Sequence, residues 1–176
     1  MEKSIKSSAI NYGLYLGAGL SLITVAIYAI NLDLMVNMWL GIVLLIVVVA
    51  VGVVSTAKSK SLQNGFISFK DALGSYVLTV AIGILISTLV SYILFNFIDP
   101  EAAVYLQEKT VEVTVSMMEG FNVPAEAIAE AVEQIENTNQ YGIGTLVKNF
   151  FIGMIIQIII GLIVAAIMKK NEPIAE

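Results

Sequence analysis

The chain contains no cysteine, no histidine and no arginine. Without cysteine there is no disulfide framework and no thiolate metal site. Without histidine it lacks the side chain that ordinarily changes charge near neutral pH. Without arginine it lacks the planar fork that grips carboxylates and phosphates in pairs, so every basic residue is a lysine. Charge of either sign is scarce: 13% of residues are charged, where a soluble domain carries about a quarter. These absences remove the usual materials of a catalytic or redox centre. No catalytic residue, cofactor site or metal site is predicted. Nucleic acid is not expected as a partner, because lysines are few and the net charge is −5.

What remains is largely hydrocarbon. The chain is 58% hydrophobic with a mean hydropathy of +0.89, and its apolar residues fall into four long runs. These cover Ile10–Ile30, Met38–Thr56, Ala72–Phe97 and Leu146–Met168. At 1.5 Å rise per residue, runs of about 20 residues cross a hydrocarbon layer of about 30 Å. The expected fold is an all-α integral membrane protein with four transmembrane helices, forming a single membrane domain over residues 1–176. The first run is longer than the apolar core of a signal peptide and no A-x-A cleavage pattern follows it, so it reads as an uncleaved anchor.

Lysine placement predicts orientation. Lys3 and Lys6 precede the first run, Lys58, Lys60 and Lys70 lie between the second and third, and Lys169 and Lys170 follow the fourth. Both termini are therefore expected in the cytoplasm. Tyr28, Trp39, Phe95, Phe97 and Phe150 are expected at the outer interface, and Tyr12, Tyr15, Phe69 and Tyr76 at the inner one, as aromatic belts.

Between the third and fourth runs, residues 98–141 carry nine acids and one lysine. This acidic segment, extending over 98–145, is expected outside and helical. Asp99, Pro100 and Glu101 form a helix start: a cap, a residue suited to the first helical position and an acid in the first turn. Residues 110–115, TVEVTV, alternate like a strand. A lone strand has no partner in so short a segment, so helix is favoured there, ending near Gly120. Pro124 opens another helix, with Ile128, Val132 and Ile135 on one side and Glu126, Glu130 and Glu133 on another. The acids are spread along helices without a calcium-loop pattern, which reads as a solvated face.

Small residues let helices approach closely in lipid. Gly13, Gly17 and Ser21 recur every four residues in the first run. Ser75, Thr79, Gly83, Ser87 and Ser91 do so in the third, and Asn149, Gly153, Gln157, Gly161 and Ala165 in the fourth. Candidate helix-packing residues are Gly13, Gly17, Ser21, Gly83, Ser87, Gly153, Gln157 and Gly161. The second run offers only Gly41 and Gly52 and is expected at the periphery. A polar solute path along these stripes is the competing reading. Packing is favoured, because no run holds an ionisable residue in its middle, as coupled transporters do.

The segment NGFISFKDAL, residues 64–73, separates the second and third runs. Asn64–Gly65 is a turn signal, and Ser68-x-x-Asp71 has the spacing of a capping box. Phe66, Phe69 and Lys70 are candidate partner contacts. Together with FNFIDPE at 95–101 and GLIVAAIMKKN at 161–171, this segment resembles the bacterial membrane proteins of the domain of unknown function 4199 family. The resemblance implies an inner-membrane protein and supplies no catalytic residue. The favoured function is a scaffold, accessory subunit or envelope-assembly factor. A small oligomeric transporter or channel, and a lipid-modifying enzyme, stand as alternatives. The implied partners are the lipid bilayer and either a second copy or another membrane protein.

Overall fold

The computed structural model describes residues 3–170. It is all-helical, with no strand among the described residues. Helix α1 covers Lys3–Ile30, α2 Met38–Leu62, α3 Phe69–Ile93, α4 Pro100–Gly120, α5 Ala125–Glu136 and α6 Ile143–Met168. A 3₁₀ turn at Leu32–Val36 joins α1 to α2, and a π-helical turn at Leu94–Ile98 extends α3. Four helices are long and apolar enough to cross a membrane: α1, α2, α3 with its π turn, and α6. Each outruns its apolar stretch at one or both ends. Length in lipid is set by hydrocarbon thickness, whereas a helix ends where its backbone finds a cap. Thus α2 continues past Thr56 through Lys58 and Lys60 to Leu62.

Side chains supply the caps. Asn37 accepts from the Trp39 and Leu40 amides at the start of α2. Ser68 accepts from the Asp71 amide at the start of α3, and Asp99 accepts from the Ala102 amide at the start of α4, ahead of Pro100. The stretch TVEVTV lies within α4, so its alternation gives way to a continuous helix.

Helix α3 is the hub. It packs most extensively on α1, then α6 and α2, while α1 and α6 flank it without their backbones meeting. The expectation of a peripheral α2 holds for its N-terminal half, where Met38, Trp39, Val43 and Ile46 are exposed. Its second half is different: Gly52, Ser55, Thr56 and Ser59 are buried. Two aromatics also depart from the expected belts. Tyr76 is completely buried at the hub, and Phe95 is 2% exposed. Phe95 is covered because α4 turns back over the end of α3, placing Ala102 and Leu106 beside it, and Tyr141 lies against its ring at 4.2 Å between centroids.

Helices α4 and α5 pack on each other, and α4 also touches the 3₁₀ and π turns. Ile128, Val132 and Ile135 are half-buried, and no residue of α5 is fully buried.

Candidate functional site

The polar residues of α3 meet partners on two neighbouring helices. Ser75 lies 2.7 Å from the Ser59 hydroxyl, and Thr79 lies 2.7 Å from the Ser55 hydroxyl, both on α2. Thr79 donates to the Ala9 carbonyl of α1 at 3.0 Å. Each hydroxyl has one proton, so Ser55 donates to Thr79. Ser59 donates to the Ser55 carbonyl at 3.0 Å, so Ser75 donates to Ser59. One step further along the same stripe, Gly83 faces Leu16 of α1. The stripe therefore winds from α2 to α1. A four-residue step advances about 40° around a helix of 3.6 residues per turn, which suits a hub touching several partners.

Tyr76 forms the second contact set. Its hydroxyl donates to Gln157 Oε1 on α6 at 2.8 Å. Its ring fills the space left by two glycines. A Cβ added to Gly52 would stand 2.5 Å from one ring edge, and one added to Gly161 would stand 2.8 Å from the other. Gly13 and Gly17 admit Ile82 and Ile86 in the same way. Ser21 is half-buried and its hydroxyl has no partner. Ser87 is half-buried, and its carbonyl accepts from Ser91.

Gly153 makes no such approach, since a Cβ there would meet open space. The buried line of α6 runs Met154, Gln157, Gly161 and Val164 in steps of three, four and three, with Ala165 buried beside Val164. That rhythm keeps a straight contact face, and a strict step of four drifts off it. Met154, and not Gly153, is buried in the core cluster with Tyr76 and Val80 of α3.

At the lysine-bearing end, the 64–70 segment holds the end of α6. Asn64 and Gly65 have φ of 53° and 86°, a left-handed pair that reverses the chain after α2. Ile67 then exchanges two backbone hydrogen bonds with Lys170, both 2.9 Å, and is 1% exposed. Lys60 donates to the Met168 carbonyl at 2.9 Å, satisfying an end group of α6. The Lys170 ammonium stands 5.2 Å from the Phe66 ring centre. Ser68 also donates to the Asp71 carboxylate at 2.8 Å. Of the three candidate partner contacts, Phe66 is therefore engaged internally and half-buried, whereas Phe69 and Lys70 are exposed.

The other end is tied by tyrosines and amides. Tyr28 donates to Asp99 at 2.9 Å and Tyr105 donates to Asp33. Asn96, inside the π turn, donates to the Tyr92 and Tyr141 carbonyls at 2.9 Å. Gln107 caps α5 by donating to the Ile135 and Glu136 carbonyls. The hydrogen bond to Asp33 raises the Tyr105 hydroxyl above its ordinary value of 10.0. Burial pushes Tyr141 up to about 12. Around Asn96, Gln107 and Tyr141 lies an open crevice of about 490 Å³. No group of three or more metal-ligating side chains converges among the described residues.

A family model described as a protein of unknown function, DUF4199, matches residues 11–170. The chain belongs to this family. No curated protein and no solved structure matches it. The three segments that carry the DUF4199 likeness have identifiable places in the fold. NGFISFKDAL and GLIVAAIMKK meet through the Ile67–Lys170 pairing, and FNFIDPE contains most of the π turn and the cap of α4. Asn171, which closes the third segment, lies outside the described residues. Sequence reasoning set Tyr76 in the inner aromatic belt and missed its place at the hub. The available signal was a tyrosine one turn from Ala72 and Val80 in a run whose neighbours carry isolated glycines.

Proposed function

We propose that this DUF4199 protein is a multi-pass protein of the bacterial inner membrane that works by binding other components, as a scaffold, accessory subunit or envelope-assembly factor. The observation that carries this reading is the closed chemistry of the polar seam around α3. The buried hydroxyls of Ser55, Ser59, Ser75 and Thr79 and the Tyr76–Gln157 pair satisfy one another. A solute path or a reacting centre needs polar groups left open to a ligand, and the seam spends its groups on holding helices together. Quantitative pull-down from native membranes in mild detergent tests it. A stoichiometric heterologous partner is the expected result. Self-association alone, with solute flux in proteoliposomes, would instead favour a transporter.

The proposed orientation places both termini in the cytoplasm and the acidic α4–α5 segment outside. It is supported by seven lysines gathered at the end where α1 begins, α2 ends, α3 begins and α6 ends. The absence of native cysteine makes the test clean. Ser116→Cys should react with an impermeant maleimide on intact cells. Reaction only after lysis would reverse the orientation.

A further inference from the structure

Between α1 and α2, on the outer surface of the bundle, lies an apolar groove of about 340 Å³. Its walls include Tyr12, Tyr15 and Gly19 on α1 and Ala50, Val51 and Val54 on α2. Every lining side chain is hydrocarbon except for the two tyrosines. The groove exists because side chains are missing from it. A Cβ at Gly19 would meet nothing within 4 Å, and Ala50 contributes a single methyl. From Tyr12 to Ile23 the lining rises through eleven residue steps of α1, which is about 16 Å at 1.5 Å per residue. That is about half of a 30 Å hydrocarbon layer, the depth of one leaflet.

The lysine-bearing end of this groove has its own polar group. Val47, Val51, Val54 and Lys58 follow i, i+4, i+7 and i+11 spacing, so Lys58 continues the groove's face one turn beyond its apolar wall. Lys58 is exposed. Lys60, by contrast, is occupied by the Met168 carbonyl. Tyr15, also exposed, stands at the same end of the groove, where tyrosine suits the boundary between headgroups and hydrocarbon.

We propose that this groove is a binding site for one anionic glycerophospholipid, with an acyl chain between α1 and α2 and the phosphate at Lys58. The match of groove length to one leaflet argues for a lipid chain. The charge of Lys58 selects an anionic headgroup over a zwitterionic one. A helix of a second copy is about 10 Å across with its side chains, too thick for this volume. The proposal requires α1 and α2 to lie in a bilayer and stands whether or not the protein recruits a partner.

The test uses the whole protein in phosphatidylcholine vesicles. These carry a trace of phosphatidylglycerol or phosphatidylcholine bearing a diazirine midway along one chain. Illumination and peptide mapping should show label concentrated on residues 12–23 and 47–54, with the phosphatidylglycerol probe ahead. Exposed Ile155, Ile159 and Ile163 of α6 provide the comparison for ordinary lipid contact. Gly19→Leu fills the groove without meeting another protein atom at its Cβ. It should cut groove labelling roughly tenfold, the scale of losing about two buried methylene contacts, while α6 labelling stays constant. Ala50→Leu should do the same from the opposite wall. Lys58→Gln should equalise the two probes in the groove. Equal labelling of groove and α6, or groove labelling unmoved by both filling variants, overturns the site. A groove that stays unlabelled while the protein crosslinks to a second copy overturns the choice of occupant. An unchanged headgroup preference in Lys58→Gln overturns the assignment of the phosphate.

Discussion

The Tyr76 hydroxyl donates to Gln157 across the α3–α6 interface, and the same ring is held edge-on between Gly52 of α2 and Gly161 of α6. One side chain thus sets the spacing of three helices. Tyr76→Phe keeps the ring and strands the buried Gln157 amide, which should cost about 1–2 kcal/mol. Gln157→Leu removes the other partner. The double variant should be less destabilised than the two single losses added together, in unfolding measured by circular dichroism in mild detergent. Strict additivity would show that the hydrogen bond contributes nothing.

Glycine substitutions should divide into two classes. Gly52→Ala and Gly161→Ala drive a methyl into the Tyr76 ring and should cost about 1–3 kcal/mol each. Gly41→Ala and Gly153→Ala meet open space and should be neutral or stabilising by up to about 1 kcal/mol. Thermal unfolding of the four variants in one detergent distinguishes the classes. Equal effects would mean that close approach at Tyr76 is not what these glycines provide.

The turn before α3 should hold the end of α6. Gly65→Val places a β-branched residue at φ 86°, a strain of about 1–2 kcal/mol. Hydrogen exchange at the Ile67 and Lys170 amides should accelerate together, because each bonds the other's carbonyl. Ser68→Ala should loosen only the first turn of α3, at a cost of about 1 kcal/mol. If Gly65→Val accelerated one of the two amides alone, the pairing would not be a unit.

Alkaline pH should weaken the contact between α4 and the 3₁₀ turn. The Tyr105 hydroxyl is held above 10.0 by its bond to Asp33, so the folded state keeps a proton that the unfolded chain gives up. The stabilisation is complete below pH 10 and is lost as the pH rises through the raised value. Tyr105→Phe should remove this component of the alkaline dependence, and Asp33→Asn should return Tyr105 towards its ordinary titration. Ultraviolet phenolate titration reads both. Tyr105 titrating unchanged in Asp33→Asn would place the cause elsewhere.

Local chemistry was legible from the sequence and three-dimensional partnership was not. The four apolar helices follow from run length, and the starts of α3 and α4 follow from Ser68 and from Asp99–Pro100. The winding of the Ser75–Thr79–Gly83 stripe follows from helical pitch alone. The identity of the residues across the seam does not, because nothing local to Tyr76 says that Gly52 and Gly161 will leave room for it. An aromatic near an apolar run's lysine end has the same local signature whether it faces headgroups or a glycine pair. Phe95 was misplaced for a related reason: the segment that covers it begins only after Pro100. The π turn was also hidden, since its extra residue is fixed by where Asn96 and Asp99 find their partners.

The Ile67–Lys170 pairing also orders events during synthesis. About a hundred residues separate the two, so at about 5–20 residues per second the 64–70 turn emerges several seconds before the strand-like end it will hold. Throughout that interval Ile67 presents an unpaired amide and carbonyl beside an apolar side chain. In this sense the last residues of the fold act as a latch on one of its earliest turns.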